Sequence, residues 1–146
     1  MKVTERIKKE HEEVKELFEK FEKRPTMKLV KQIKDILDPH HYAEEETVFP
    51  KVAAETKQKA ELVRNLIAEH EAIELLFNDI FEMKVSDDMF ESKVYVLQEV
   101  VEHHTKEEEN VFFEHAKEVY SDAELTKATQ AFDQAKEEFS PSPDEG

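Results

Sequence analysis

The feature that most constrains this chain is an eleven-residue pattern that occurs twice. The first copy is residues 40–50 (HHYAEEETVFP) and the second copy is residues 103–113 (HHTKEEENVFF). Both histidines, all three glutamates and the Val-Phe pair are identical in the two copies. Residues four apart in an α-helix lie on one face, so a His-x3-Glu step directs an imidazole and a carboxylate toward one point. Two such helices facing each other would form a metal site.

A weaker repeat precedes each copy. Residues 10–18 (EHEEVKELF) resemble residues 69–77 (EHEAIELLF), and the histidine of each segment, His11 and His70, lies on an apolar helical stripe. The chain therefore resembles two helical hairpins, each with a His helix followed by a His-x3-Glu helix. This order predicts an all-α fold, an up-down four-helix bundle over residues 1–120. Ser121 and Glu124 form a capping-box pattern that predicts a short fifth C-terminal helix over 121–139. The polar, proline-rich residues 140–146 are expected to be a disordered tail.

Composition narrows the classes of function. A chain of 146 residues is about one domain long, and a net charge of −15 argues against binding nucleic acid or an anionic membrane surface. The chain has no cysteine, which excludes disulfides and thiolate metal sites. It has no apolar stretch near twenty residues and no apolar leader, so we expect a cytoplasmic protein that does not insert into membranes.

Carboxylates on core-facing positions need a partner. Burying an ionised carboxylate costs on the order of several kcal/mol unless the carboxylate is paired or coordinates a cation. The candidate metal ligands are His11, His40, Glu44, His70, His103 and Glu107. Nitrogen and oxygen donors without sulfur fit iron, manganese or zinc. Because the set is too large for one tetrahedral zinc, two metal ions that share Glu44 and Glu107 are the better interpretation, and a pair of iron ions fits best.

The doubled histidines leave the register open. His41 with Glu45, and His104 with Glu108, have the same spacing as the preferred pairs, and apolar residues precede both lines. His41, Glu74, His104 and Glu108 are therefore additional, less certain candidate ligands. The remaining acidic residues of the two copies are interpreted as a solvated face, namely Glu45, Glu46, Glu108 and Glu109. His115 is interpreted as a surface histidine.

The combined motifs resemble the haemerythrin-like family, also called the HHE cation-binding domain, in its single-domain microbial form. The resemblance covers about residues 1–120. It implies a four-helix bundle around two non-haem iron ions joined by an oxo or hydroxo bridge, with dioxygen as the small ligand. His11, His40, His70 and His103 would then be terminal ligands, and Glu44 and Glu107 would bridge the irons. Counting back from Phe49-Pro50, as the family motif runs, selects His40/Glu44 and His103/Glu107.

The chain also departs from the oxygen-carrying haemerythrins, which have a fifth histidine one turn further along the third helix. Here that position is Glu74. Glu74, His41 or water would take the place of the missing imidazole. The resemblance implies a diiron protein that binds dioxygen or a related small oxidant. The alternatives are a diiron enzyme acting on hydrogen peroxide (catalase-like) or on nitric oxide, and an iron- or oxygen-sensing protein. Catalysis is left open, and the sequence identifies no protein partner.

Overall fold

In the computed structural model, which describes residues 1–139, all regular secondary structure is helical. The elements are α1 (Val3–Lys23), α2 (Met27–Ala43), π1 (Glu44–Val48), α3 (Phe49–Ala53), α4 (Lys57–Phe81), α5 (Phe90–Glu107), π2 (Glu108–Phe112), α6 (Phe113–Val119) and α7 (Asp122–Glu138). No strand occurs in the described part of the chain, so the predicted all-α class is confirmed. α1 packs against α2, α4 packs against α5, and α7 packs against α1, α2 and π1. The up-down four-helix arrangement and the domain limits stay predictions.

Local sequence explains where several helices begin. The Thr26 hydroxyl accepts a hydrogen bond from the Leu29 N–H (3.2 Å) at the start of α2. Thr56 caps α4 in the same way, and Ser121 and Glu124 form a reciprocal capping box at the start of α7. Each cap satisfies a backbone N–H that has no partner within its own helix.

Each copy of the repeated motif contains one π-helical turn. The Phe49 N–H donates to the Glu44 carbonyl, and the Phe113 N–H donates to the Glu108 carbonyl, which are i→i+5 hydrogen bonds. A proline follows the first π turn closely, at Pro50, whereas the second π turn forms without one. Such turns are rare and often occur at functional sites. Here each one begins at a buried glutamate.

The core consists of two apolar clusters. One contains Phe49, Phe112 and the α7 residue Phe132, and the other contains Phe18 and Phe77. On α1, Ile7 belongs to the first cluster and Val14 to the second, with His11 between them. On α4, His70 lies in the same way between Leu66 and Ile73. A polar layer therefore separates two apolar clusters.

The remaining expectations concern the ends of the chain and the membrane. α7 corresponds to the fifth helix expected over 121–139. The disordered tail expected over 140–146 lies outside the described residues. Within residues 1–139, none of the helices combines the length and the apolar character that crossing a membrane requires.

Candidate metal centre

The polar layer consists of seven buried histidine and glutamate side chains. They are His11, His40, His41, Glu44, His70, His104 and Glu108. Their donor atoms form two groups, and within each group these atoms lie within 4.8 Å of one another. The three-histidine position comprises His41, His70, His104 and Glu44, and the two-histidine position comprises His11, His40, Glu44 and Glu108. Glu44 belongs to both groups.

Distances place Glu44 between the two groups. Its Oε1 lies 3.4 Å from the His40 Nε2 and 3.3 Å from the His70 Nε2. The His70 Nε2 is also 3.1 Å from the His104 Nε2, and the His41 ring stacks on the His70 ring with centroids 3.7 Å apart. On the other side, the His11 Nε2 is 3.0 Å from the Glu108 Oε1. One carboxylate oxygen is thus close to imidazoles of both positions, which is the placement a bridging ligand needs.

Several buried polar atoms of the layer have no hydrogen bond of acceptable geometry. These atoms are the Nε2 of His11 and His40 and both side-chain oxygens of Glu44 and Glu108. Leaving one buried polar group without a partner costs about 1–3 kcal/mol, and more for a charged group. Cations placed among these atoms would satisfy them together, so the donor set fits a metal centre.

The outward-facing nitrogens of four histidines contact carboxylates. The Nδ1–oxygen pairs are His11–Glu109 (2.7 Å), His40–Glu10 (2.9 Å), His70–Glu45 (2.8 Å) and His104–Glu69 (2.7 Å). A carboxylate at Nδ1 holds the proton on that nitrogen and leaves Nε2 free to bind a metal. Each of these carboxylates is next in sequence to a residue of the polar layer. Adjacency to a candidate ligand does not single them out, because Glu12 and Glu71 are also adjacent to His11 and His70.

The protonation of the layer follows from its burial and charge. Burial lowers the pKa of His40 to about 4 and also lowers the pKa of His41 and His70. Burial, and then the negative charge of Glu108, raises the pKa of Glu44. Although burial opposes it, the carboxylates of Glu108 and Glu109 raise the pKa of His11 to about 9. Without a metal, the layer therefore combines neutral imidazoles at His40, His41 and His70 with a protonated His11.

Comparison with known proteins identifies the family. The model of the Hemerythrin HHE cation binding domain matches residues 2–116. The chain belongs to this family. It is also similar to the crystal structure of a hemerythrin HHE cation-binding domain-containing protein from Mycobacterium kansasii. The two share 24% sequence identity with a TM-score of 0.81, over 94% of this chain and 86% of that one, which is a similarity of fold. No curated protein sequence matches the chain significantly.

The HHE protein brings together only some of the predicted ligands. Of the six preferred candidates, His11, His40, Glu44 and His70 lie in the polar layer. His103 and Glu107 do not. The His103 side chain is 70% exposed, and its Nε2 lies 3.2 Å from Glu107 and 3.4 Å from Glu69 in a separate group near the surface. In the second copy, the layer instead contains the neighbouring residues His104 and Glu108.

The apolar stripe that leads into each motif explains this change of register. In α2, buried Ile33 and Leu37 precede His40 at steps of four and three residues. In α5, buried Leu97 and Val101 precede His104 at the same steps. Equivalent residues of the two buried stripes are therefore 64 positions apart in the sequence. Equivalent residues of the two motif copies are 63 positions apart. Counting back from the Phe-Pro end missed this shift, which the burial of Leu97 and Val101 shows.

The less certain candidates also differ in their placement. His41 lies in the layer and supplies a fifth imidazole, whereas Glu74 is 43% exposed with its Oε1 3.4 Å from the Lys34 ammonium. The predicted solvated acidic face is wrong for Glu108, which is fully buried because it lies on the core stripe.

Two further residues of the predicted solvated face are solvated only in part. Glu45 and Glu109 are only partly exposed because they bond to His70 and His11. Glu46 is exposed, as that interpretation predicted. His115 is only partly exposed and lies 3.7 Å from Glu118.

Proposed function

We propose that this HHE-family protein holds two iron ions in its polar layer and uses them to bind dioxygen or a related small oxidant. The observation that carries the proposal is the orientation of four imidazoles. Each places its Nδ1 on a carboxylate and turns its Nε2 toward buried carboxylate oxygens or a second imidazole. Imidazoles held in this way are typical of metal ligands.

The ligand assignment follows the two groups. His41, His70 and His104 would bind one ion, His11 and His40 would bind the other, and Glu44 would bridge them. Glu108 lies beside His11 and would bind the ion at the two-histidine position. Each group offers four protein donors, and iron held by histidines and carboxylate commonly keeps positions open for small ligands. Bound iron would supply the redox chemistry that the protein's own side chains lack.

The surrounding side chains keep water away from the layer. The Phe49 ring stacks against His70 with centroids 5.7 Å apart, and it contacts the Phe112 ring at 4.9 Å. Both phenylalanines are almost fully buried. An apolar wall on this side limits hydration of an oxidant in the site and strengthens its electrostatic interactions with the ligands. The chain's contribution to function is thus to orient imidazoles and to exclude water.

The proposal is tested by loading metal-free protein with ferrous iron under anaerobic conditions. We expect about two iron ions per chain and, on admission of air, an absorption band that disappears when oxygen is removed. Release of oxygen gas from added hydrogen peroxide, without a reversible band, would favour the catalase-like alternative. Consumption of many equivalents of nitric oxide per chain in the presence of a reductant would favour the enzyme that acts on nitric oxide.

Matched variants make the test specific. His104→Ala should lower the iron content and weaken the band, whereas His103→Ala should change neither, because only His104 lies in the polar layer. Failure of the unchanged protein to take up iron at all would refute the proposed function.

A further inference from the structure

The C-terminal helix α7 reaches the metal layer although it lies beyond the matched family domain. The family model ends at residue 116, and α7 spans Asp122–Glu138. The ring of fully buried Phe132 meets the His40 ring edge-on, with centroids 5.7 Å apart. α7 therefore covers the side of the two-histidine position on which His40 lies.

A lysine of α7 contacts the carboxylate that orients His40. The Lys136 ammonium donates to the Glu10 Oε2, and the other oxygen of Glu10 lies 2.9 Å from the His40 Nδ1. The Arg6 guanidinium approaches the same Glu10 Oε2 at 3.6 Å, and its Nε donates to Asp133 of α7 at 3.0 Å. Lys136 is thereby connected to a candidate metal ligand through one intervening carboxylate.

Glu10 differs from the other three carboxylates that contact the histidines. Its side chain is 5% exposed, whereas those of Glu45, Glu69 and Glu109 are 37%, 21% and 22% exposed. Water can solvate the latter three. A carboxylate as buried as Glu10 needs a cationic partner to stay ionised and in place. Lys136 of α7 supplies the nearer of its two cationic partners, and Arg6 of α1 supplies the other.

We propose that Lys136 of α7 is a positioning residue that holds Glu10 against His40 and thereby sets the metal affinity of the two-histidine position. This inference rests on the proposed function, since it requires that the layer binds two metal ions. The Lys136 ammonium contacts Glu10, which is not itself a candidate ligand. Its influence passes through Glu10, which keeps the His40 ring oriented with Nε2 toward Glu44.

The test is a stepwise titration of metal-free protein with cobalt(II), followed by its visible absorption and by calorimetry. Lys136→Met is compared with Lys127→Met, which removes the same charge from an exposed site on the same helix. Loss of a residue that supports a metal ligand typically weakens binding by about 10–100-fold. We expect Lys136→Met to show that loss in one of the two binding steps only, with Lys127→Met unchanged and Lys136→Arg restored to near the original affinity.

A double-mutant cycle separates this role from general stability. Because Lys136 acts through Glu10, Lys136→Met should cause no further loss in a Glu10→Gln background. Circular dichroism verifies folding, and Lys136→Gln replaces the methionine variant if that variant does not fold.

Four results would overturn the inference. In Lys136→Met, either unchanged affinity in both binding steps or equal weakening of both steps would do so. So would an equal loss of affinity in Lys127→Met, or losses from Lys136→Met and Glu10→Gln that add up in the double variant. Failure of the unchanged chain to bind two cobalt ions would instead count against the proposed function.

Discussion

The two copies of the repeated motif share their histidines and glutamates but contribute differently to the polar layer. The first copy places His40, His41 and Glu44 in it, and the second copy places only His104 and Glu108. The apolar stripe that precedes each motif determines which residues of the motif are buried, because a helix presents one face to the core along its whole length. Identity of a short motif therefore does not guarantee identity of register.

The same shift makes the layer asymmetric. When the buried stripes are aligned, the residue that corresponds to His41 in the second half is the partly exposed Thr105. The layer consequently contains five imidazoles, three at one position and two at the other. His41 contributes to the larger group by stacking on His70 from the other hairpin.

The largest effect is expected from the glutamate that both positions share. Glu44→Ala should reduce the metal content from about two ions per chain to near zero, because it removes a donor from both groups. The control is Glu107→Ala, because Glu107 has the equivalent position in the second copy but lies near the surface. Elemental analysis after iron loading measures the difference, and equal losses in the two variants would contradict the assigned register.

Adjacent histidines of the second copy provide the next test. His104→Ala should lower iron uptake by about one ion per chain, since it depletes the three-histidine position, and His103→Ala should leave uptake unchanged. The motif-based prediction from sequence expects the opposite result. Metal analysis of the two variants thus decides between the two registers.

Sequence patterns indicated much of this architecture. The duplicated hairpin, the all-helical class and the positions of His11 and His70 follow from apolar residues spaced three and four apart. Register within His103-His104 could not be settled from the motif, because Val96 and Val100 form a second apolar line that leads to His103. In the structure Val96 is 45% exposed, so only the three-dimensional packing separates the two lines.

The carboxylates around the histidines were harder to recognise from sequence. Glu10, Glu45, Glu69 and Glu109 lie in strongly acidic segments, where most glutamates are solvated. Each is distinguished by the histidine that it meets on another helix, at 25 residues or more along the chain. Contacts of this range depend on helix packing, which a local pattern does not encode.

Acid should destabilise the metal-free protein through the buried histidine His40 of the first copy. Its pKa falls from 6.5 to about 4 on folding, mainly through burial. The contribution of neutral His40 to the free energy of unfolding is therefore complete above pH 6.5 and is lost as the pH falls toward 4. The full loss is on the order of 3 kcal/mol. We therefore expect the urea midpoint of unfolding to be lower at pH 5 than at pH 7. A midpoint that stays constant or rises would show that His40 is not buried as described.

His11 should act in the opposite direction. Its pKa in the folded protein is raised to about 9. The contribution of protonated His11 to the free energy of unfolding is therefore complete below pH 6.5 and is lost as the pH rises through 9. The urea midpoint of the metal-free protein should fall between pH 7 and pH 10. In a His11→Ala variant this alkaline fall should become smaller, and an equal fall in both proteins would argue against the assignment.

The smallest effect is expected from the carboxylate that supports the second copy. Glu69→Gln weakens the hydrogen bond to the His104 Nδ1 and should reduce affinity at the three-histidine position by about tenfold. Glu46→Gln, at an exposed site of the first copy, should have no effect. Competition with a chelator of known affinity measures both, and a similar change in the two variants would remove the distinction.

The most direct test of the account is the thermal melting temperature of the metal-free protein before and after ferrous iron is added, together with the iron bound per chain. Iron in thousand-fold excess over its dissociation constant stabilises the folded state by about 4 kcal/mol per ion, which for a domain of this size raises the melting temperature by roughly 10 °C or more. We predict that increase with about two ions bound. Binding of less than one ion with an unchanged melting temperature would show that the buried carboxylates and imidazoles do not form a metal centre.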